Sequence, residues 1–163
     1  MTRTEGAEVF HIRCINERRK RYSIAWDFQS KEDESGNYSY MEYTFDHLPT
    51  ADEIREVIFR YYDEQTDAAI LSGYTFGDIP VWLSMENQFN YKAAYDLAVQ
   101  TQGESLPVRF KLGTNAEPQY HTFNTLADLE AFYTGALAFI QQTLEAGWDK
   151  KDAIDLDDYT VNS

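Results

Sequence analysis

Residues 72–95 read Ser72-Gly-Tyr-Thr-Phe-Gly-Asp-Ile-Pro-Val-Trp-Leu-Ser84-Met-Glu-Asn-Gln-Phe-Asn-Tyr-Lys-Ala-Ala-Tyr95. Aromatic and β-branched runs, Tyr74 to Phe76 and Ile79 to Leu83, flank Gly77-Asp78. A glycine-led two-residue connection between such runs favours a type II′ or related hairpin. Pro80 belongs at an edge or at a strand start, where no ladder donor is missed. Ser84 is a natural N-cap for a helix from Met85 to about Gln100. Phe89, Tyr91, Ala94, Tyr95 and Ala98 are expected to form its apolar band. The stretch therefore predicts a tight hairpin running straight into a capped helix.

Working towards the C-terminus, Leu106 to Leu112 and Gln119 to Phe123 are strand candidates separated by the turn-rich 113–118. Thr125 can cap a long helix in which Leu126, Leu129, Phe132, Tyr133, Leu137, Ile140 and Leu144 fall at helical spacing. Gly147 is expected to end that helix, with a short acidic tail from Trp148 onward. Working towards the N-terminus, Val9 to Ile15 alternates, placing Phe10, Ile12 and Cys14 on one expected buried face. Tyr22, Ile24, Trp26 and Phe28 repeat the period of two, and Asn37 to Phe45 makes a third aromatic strand. The polar stretch from Ser30 to Asn37 reads as a turn or loop. These three segments predict an antiparallel meander. Thr50 followed by Glu53 is a capping box. It opens a helix carrying Ile54, Val57, Ile58, Tyr61 and Tyr62 and fading by Gly73. The expected fold is α+β. It divides into an N-terminal βββα subdomain over 1–66, a ββαββα domain over 67–157 and a tail over 158–163.

The run Gly73-Tyr74-Thr75-Phe76, then Val81-Trp82-Leu83-Ser84 with Gln88 and Asn90, is followed by a strand pair and a long helix ending near Gly147-Trp148. This pattern resembles the DUF4376-type domain over about residues 67–155 and leaves the first 65 or so residues unexplained. The resemblance implies an accessory or virion-assembly protein of a phage or prophage, some relatives being encoded near tail-fibre genes, and it transfers no catalytic residue.

The chain has 28 acidic against 14 basic residues, a formal charge of −14. Such a balance repels polyanions and works against binding nucleic acid or anionic membrane. The one basic run, Arg18-Arg19-Lys20-Arg21, reads as a solvated hairpin turn rather than a phosphate grip. The lone Cys14 rules out an internal disulfide and, on a buried face, reads as an inert small hydrophobe. No apolar run approaches the length that spans a bilayer and no secretory h-region is apparent. The expected setting is the cytoplasm of a bacterial host, with association with the virion as an extension.

Candidate chemistry is sparse. His11, His47 and His121 lie in different segments without metal-ligand spacing, and the acidic tail lacks the glycine and terminal glutamate of a calcium loop. No phosphate loop is present. No catalytic, metal or cofactor-binding residues are expected, and the chain reads as a non-enzyme without a cofactor. Twelve tyrosines, however, exceed what a core of this size comfortably hides. Tyr38, Tyr40, Tyr43, Tyr61, Tyr62, Trp82 and Tyr91, with Tyr95, are therefore candidates for a surface facing another protein or a second copy of this chain. The leading expectation is a protein-binding factor in tail or tail-fibre assembly. The alternatives are an acidic mimic of nucleic acid that inhibits a host enzyme, and a carbohydrate-binding or carbohydrate-active module.

Overall fold

A computed structural model describes residues 1–30, 37–114 and 116–161. The expected loop from Ser30 to Asn37 lies largely outside the described residues, as does Asn115 in the later turn. The fold is mixed α+β and divides into two compact units, residues 1–62 with 150–163 and residues 63–149.

The first unit holds four antiparallel strands, β1 (Thr2–Gly6), β2 (Ile12–Asn16), β3 (Arg21–Ser30) and β4 (Tyr38–Phe45), in the order β1-β4-β3-β2. The expected meander is β2-β3-β4. Strand β1, with the polar sequence Thr-Arg-Thr-Glu-Gly, adds to its far edge through pairs such as Thr4 with Tyr40. The basic run forms the β2–β3 turn, where Lys20 takes a positive φ of 50° and Asn16 Oδ1 accepts from the Arg19 amide. Helix α1 (Ala51–Ser72) begins at the capping box. Glu53 accepts from the Thr50 amide at 2.8 Å, and the Glu53 amide donates to Thr50 Oγ1 at 3.3 Å.

The core of this unit joins Ile24, Trp26, Met41 and Phe45 of the sheet to Ile54, Val57, Ile58 and Tyr62 of α1. Two expectations fail here. Cys14 is exposed, because β2 is the outer strand of the sheet and only Ile12 of its residues packs against the core. Phe28 leaves the face of Ile24 and Trp26 and packs on Tyr40 and His11, because the register shifts after Trp26 and Asp27 takes a φ of 53°. That irregularity reverses the alternation beyond it.

The second unit contains the hairpin β5 (Tyr74–Phe76) and β6 (Ile79–Val81), helix α2 (Met85–Gln100), the hairpin β7 (Val108–Gly113) and β8 (Pro118–Phe123), and most of α3 (Leu126–Asp152). Phe76 pairs with Ile79 across Gly77-Asp78, and Gly77 supplies the positive φ of 60° that a type II′ turn requires. Pro80 sits in β6, one strand of a two-stranded sheet. Phe132 is the hub of the core, with ring contacts to Phe76, Tyr91, Phe110 and Phe123. Val81, Leu83, Leu112 and Leu129 close around these rings.

The C-terminal expectation is overturned. Helix α3 does not end at Gly147, which is buried inside it with its Cα against Thr66 of α1. Beyond Asp152 the chain turns into a short 3-10 helix over Leu156–Tyr159, and Tyr159 joins the core of the first unit together with Ile154 and Leu156. The acidic residues of this segment stay outside while its alternate apolar residues are drawn in.

Candidate functional site

The expected tyrosine surface divides by burial. Tyr40, Tyr62 and Tyr91 are buried, so they cannot present a partner-facing patch. Tyr40 meets Phe10 and Phe28, Tyr62 belongs to the first core, and Tyr91 packs on Phe110 and Phe132. Tyr38, Tyr43, Tyr61 and Tyr95 are half-buried. Tyr61 is committed inside its unit: its hydroxyl donates to Asp27 at 2.9 Å, and Arg3 closes on the same carboxylate. Tyr95 stacks on Tyr133 at 4.7 Å. Of the expected residues, Trp82 stands out, with 51% of its surface exposed.

The polar clusters are structural. Ser23 is fully buried and donates to Glu42 Oε1 at 2.5 Å, while Arg13 and Thr4 also donate to the Glu42 carboxylate. A fully buried serine whose hydroxyl is already committed to a carboxylate is not arranged as a nucleophile. The displaced pKa values move away from neutrality. Burial raises the Tyr91 phenol. It also raises the phenols of Tyr61, helped by the hydrogen bond to Asp27, and of Tyr62, pushed up to about 12 with the Asp27 charge as the next cause. Glu53 is held below its ordinary value by the Thr50 amide, the Thr50 hydroxyl and His47. None of these groups is poised to exchange protons near pH 7. Among the described residues, no group of three or more His, Cys, Asp or Glu could hold a metal ion, and no helix is long and apolar enough to cross a membrane.

Two concavities are lined by described residues of the second unit. One, of about 190 Å³, runs between α2 and α3 and is lined by Leu83, Phe89, Tyr91, Tyr133, Leu137 and Ile140. Two of its lining residues are apolar side chains open to solvent, Phe89 at 71% and Leu137 at 46% exposure, and Met85, one turn before Phe89, is 87% exposed. Phe89 was expected in the core-facing band of α2. Instead Tyr91 and Ala98 take that role and Phe89 points outward, one turn after Met85. The signal for this was present in the sequence, because α2 carries apolar residues around its whole circumference, more than one core can absorb.

The second concavity, of about 370 Å³, opens beside Trp82, between the start of α2 and the end of β7. The local sequence builds it. Ser84 caps α2 by accepting from the Asn87 amide at 3.2 Å, and the Asn87 side chain donates back to the Trp82 carbonyl at 2.8 Å. Gln88 does the same to Leu83 at 2.7 Å. These bonds hold the 82–84 segment extended while Val81 and Leu83 point into the core, which leaves Trp82 on the outside.

No curated protein and no solved structure matches the chain. The family model described as a domain of unknown function, DUF4376, matches residues 53–162, from the first turn of α1 through the buried Tyr159, a wider span than the 67–155 read from the motif. With more than half of its length matched, the chain belongs to the DUF4376 family.

Proposed function

We propose that this protein is a non-enzymatic binding factor that takes an amphipathic helix of another protein into the groove between α2 and α3, in the setting of phage or prophage tail or tail-fibre assembly. The observation that carries the proposal is the exposure of Phe89 and Leu137, both of which line an apolar groove, with Met85 exposed one turn before Phe89 on α2. At about 190 Å³ the groove is smaller than the sites that enclose drug-sized ligands, and it suits one or two anchoring side chains. The two helices that form it carry an acidic excess. Along α2 and α3 up to Asp149 the acidic residues are Glu86, Asp96, Asp128, Glu130, Glu145 and Asp149, and the one base, Lys92, is held by Asp96. Lys92, the one charged residue that lines the groove, is paired with Asp96, so the groove offers an apolar seat for a leucine or aromatic anchor, and basic flanks on the partner helix suit the acidic excess of α2 and α3.

The acidic-mimic reading requires rows of free carboxylates. Asp27, Glu42, Asp46, Asp52 and Asp96 are instead each paired with an arginine or lysine, which favours a mixed surface with an apolar patch. The test mixes the purified chain with the tail and tail-fibre proteins encoded beside it and follows complex formation by light scattering coupled to gel filtration. The expected outcome is a stoichiometric complex that F89D and L137D abolish without lowering the melting temperature. A complex equally stable in both variants, or none with any of these proteins, overturns the proposal.

A further inference from the structure

The cavity beside Trp82 is separate from the helix groove and has a different chemistry. At about 370 Å³ it lies within the range of sites that hold small ligands. Trp82 lines the cavity while remaining 51% exposed, so its indole is open to a ligand seated there. The polar lining is already oriented. Asn87 spends an amide N–H on the Trp82 carbonyl, which fixes the side chain and leaves Oδ1 as an acceptor. Ser72 donates its hydroxyl to the Ala68 carbonyl at 3.0 Å and so offers its oxygen as an acceptor. Thr114 accepts from the Glu117 amide at 3.0 Å, leaving its own hydrogen as a donor. Lys111 is the cation of the lining, and it has no ion-pair partner among the described residues.

We infer that this cavity is a saccharide-binding site for a pyranose carrying a carboxylate. A pyranose has one face of C–H bonds, which packs on an indole, and a rim of hydroxyls that both donate and accept. The lining offers donors at Lys111 and Thr114 and acceptors at Asn87 and Ser72, which is the mixture a ring of hydroxyls needs. A flat apolar ligand would leave those groups unpaired, and a simple anion would leave the indole unused. The free ammonium selects the acid sugar over its neutral parent. The overall charge of −14 opposes any anion at long range, but at physiological ionic strength that field is screened beyond about 8 Å, so the contact with Lys111 decides.

The test is a titration of the full chain followed by the three indole N–H signals in proton–nitrogen NMR. Trp26, buried, serves as the internal reference. With sodium galacturonate the Trp82 signal is expected to shift saturably and the Trp26 signal to stay. The dissociation constant should rise about tenfold to a hundredfold in K111M, the size of a lost charge-assisted hydrogen bond, and be restored in K111R. Galactose should bind wild type and K111M alike, at least about tenfold more weakly than the uronate binds wild type. In W82A, read at the amides of Asn87 and Gly113, saturable binding should be lost. Both substituted positions are exposed, and an unchanged melting temperature confirms the fold. Absence of a saturable Trp82 shift overturns the inference. An equal response to sodium acetate overturns the sugar, and equal affinity for galactose overturns the role of Lys111.

Discussion

Tyr159 tests whether the last residues of the chain are a tail or part of a core. Only 8% of its surface is exposed, it stacks on His11 at 5.3 Å, and its hydroxyl donates to the Ala25 carbonyl at 3.2 Å. In Y159F the ring stays and the hydrogen bond goes, an expected cost of about 0.5–1.5 kcal/mol. In Y159A the ring goes as well and leaves a cavity among Ile24, Trp26 and Tyr62, which by analogy with large aromatic truncations costs about 3–5 kcal/mol. The assay is native-state hydrogen exchange at the amides of Ile24 and Trp26 in β3, which reports on this unit and does not require whole-chain unfolding to be two-state. Tyr159 also has a distinctive alkaline signature. Burial raises its phenol far above the ordinary value, with Tyr62 and Asp158 adding to the shift, so the fold favours the neutral form. Its contribution is therefore complete below about pH 10, the unfolded value, and is lost as pH rises beyond it. Y159F should remove that share of the alkaline loss. A change below about 1 kcal/mol in Y159A, the range of ordinary surface substitutions, would refute the packing of this segment.

Glu53→Gln should lower the melting temperature at pH 7, and the difference from wild type should shrink as pH falls below about 4.5. The folded carboxylate is depressed below 4.5, so its stabilisation is present above the unfolded value and disappears as pH falls through the folded one. Phe132→Ala, at the hub of five ring contacts, should cost the second unit about 3–5 kcal/mol by denaturant titration, whereas F89S should stay within about 0.5 kcal/mol of wild type. Gly147→Ala gains about 1 kcal/mol of helix propensity, yet its Cβ would meet the Thr66 side chain at 2.3 Å. Thr66 is β-branched and stiff, so the clash should win and the variant should be less stable by thermal melting, the reverse of the usual effect of this substitution in a helix.

Local chemistry was legible where the signal and its cause lie within a few residues of each other. The Thr50–Glu53 box, the Gly77-Asp78 turn and the Ser84 cap each satisfy backbone groups nearby in the chain, and each appears where the residues place it. Strand β1 was not legible, because Thr-Arg-Thr-Glu-Gly has no apolar alternation and is held by its ladder to β4. Gly147 was misleading for a related reason. A glycine late in a helical stripe reads as a C-cap, but its use here is to let Thr66 approach, and that neighbour lies 81 residues earlier in the chain. Trp82 was legible as a candidate and its setting was not, since Lys111 and Thr114 reach the same cavity from the other hairpin.

Helix α2 shows how a stripe at helical spacing misleads about direction. Phe89, Tyr91, Ala94, Tyr95 and Ala98 do share a broad sector, but spacing alone does not say where the sector is centred. Phe132 and Phe110 settle that by taking Tyr91 between them, and the rotation that buries Tyr91 carries Phe89 outward. The same rotation puts Met85, one turn earlier, into solvent beside it. A helix serving only its own core would carry polar residues at these two positions, since nothing in the fold needs them apolar. Their exposure is thus a property of the sequence that folding leaves unused, and a partner across the groove is the use that would give it a physical reason.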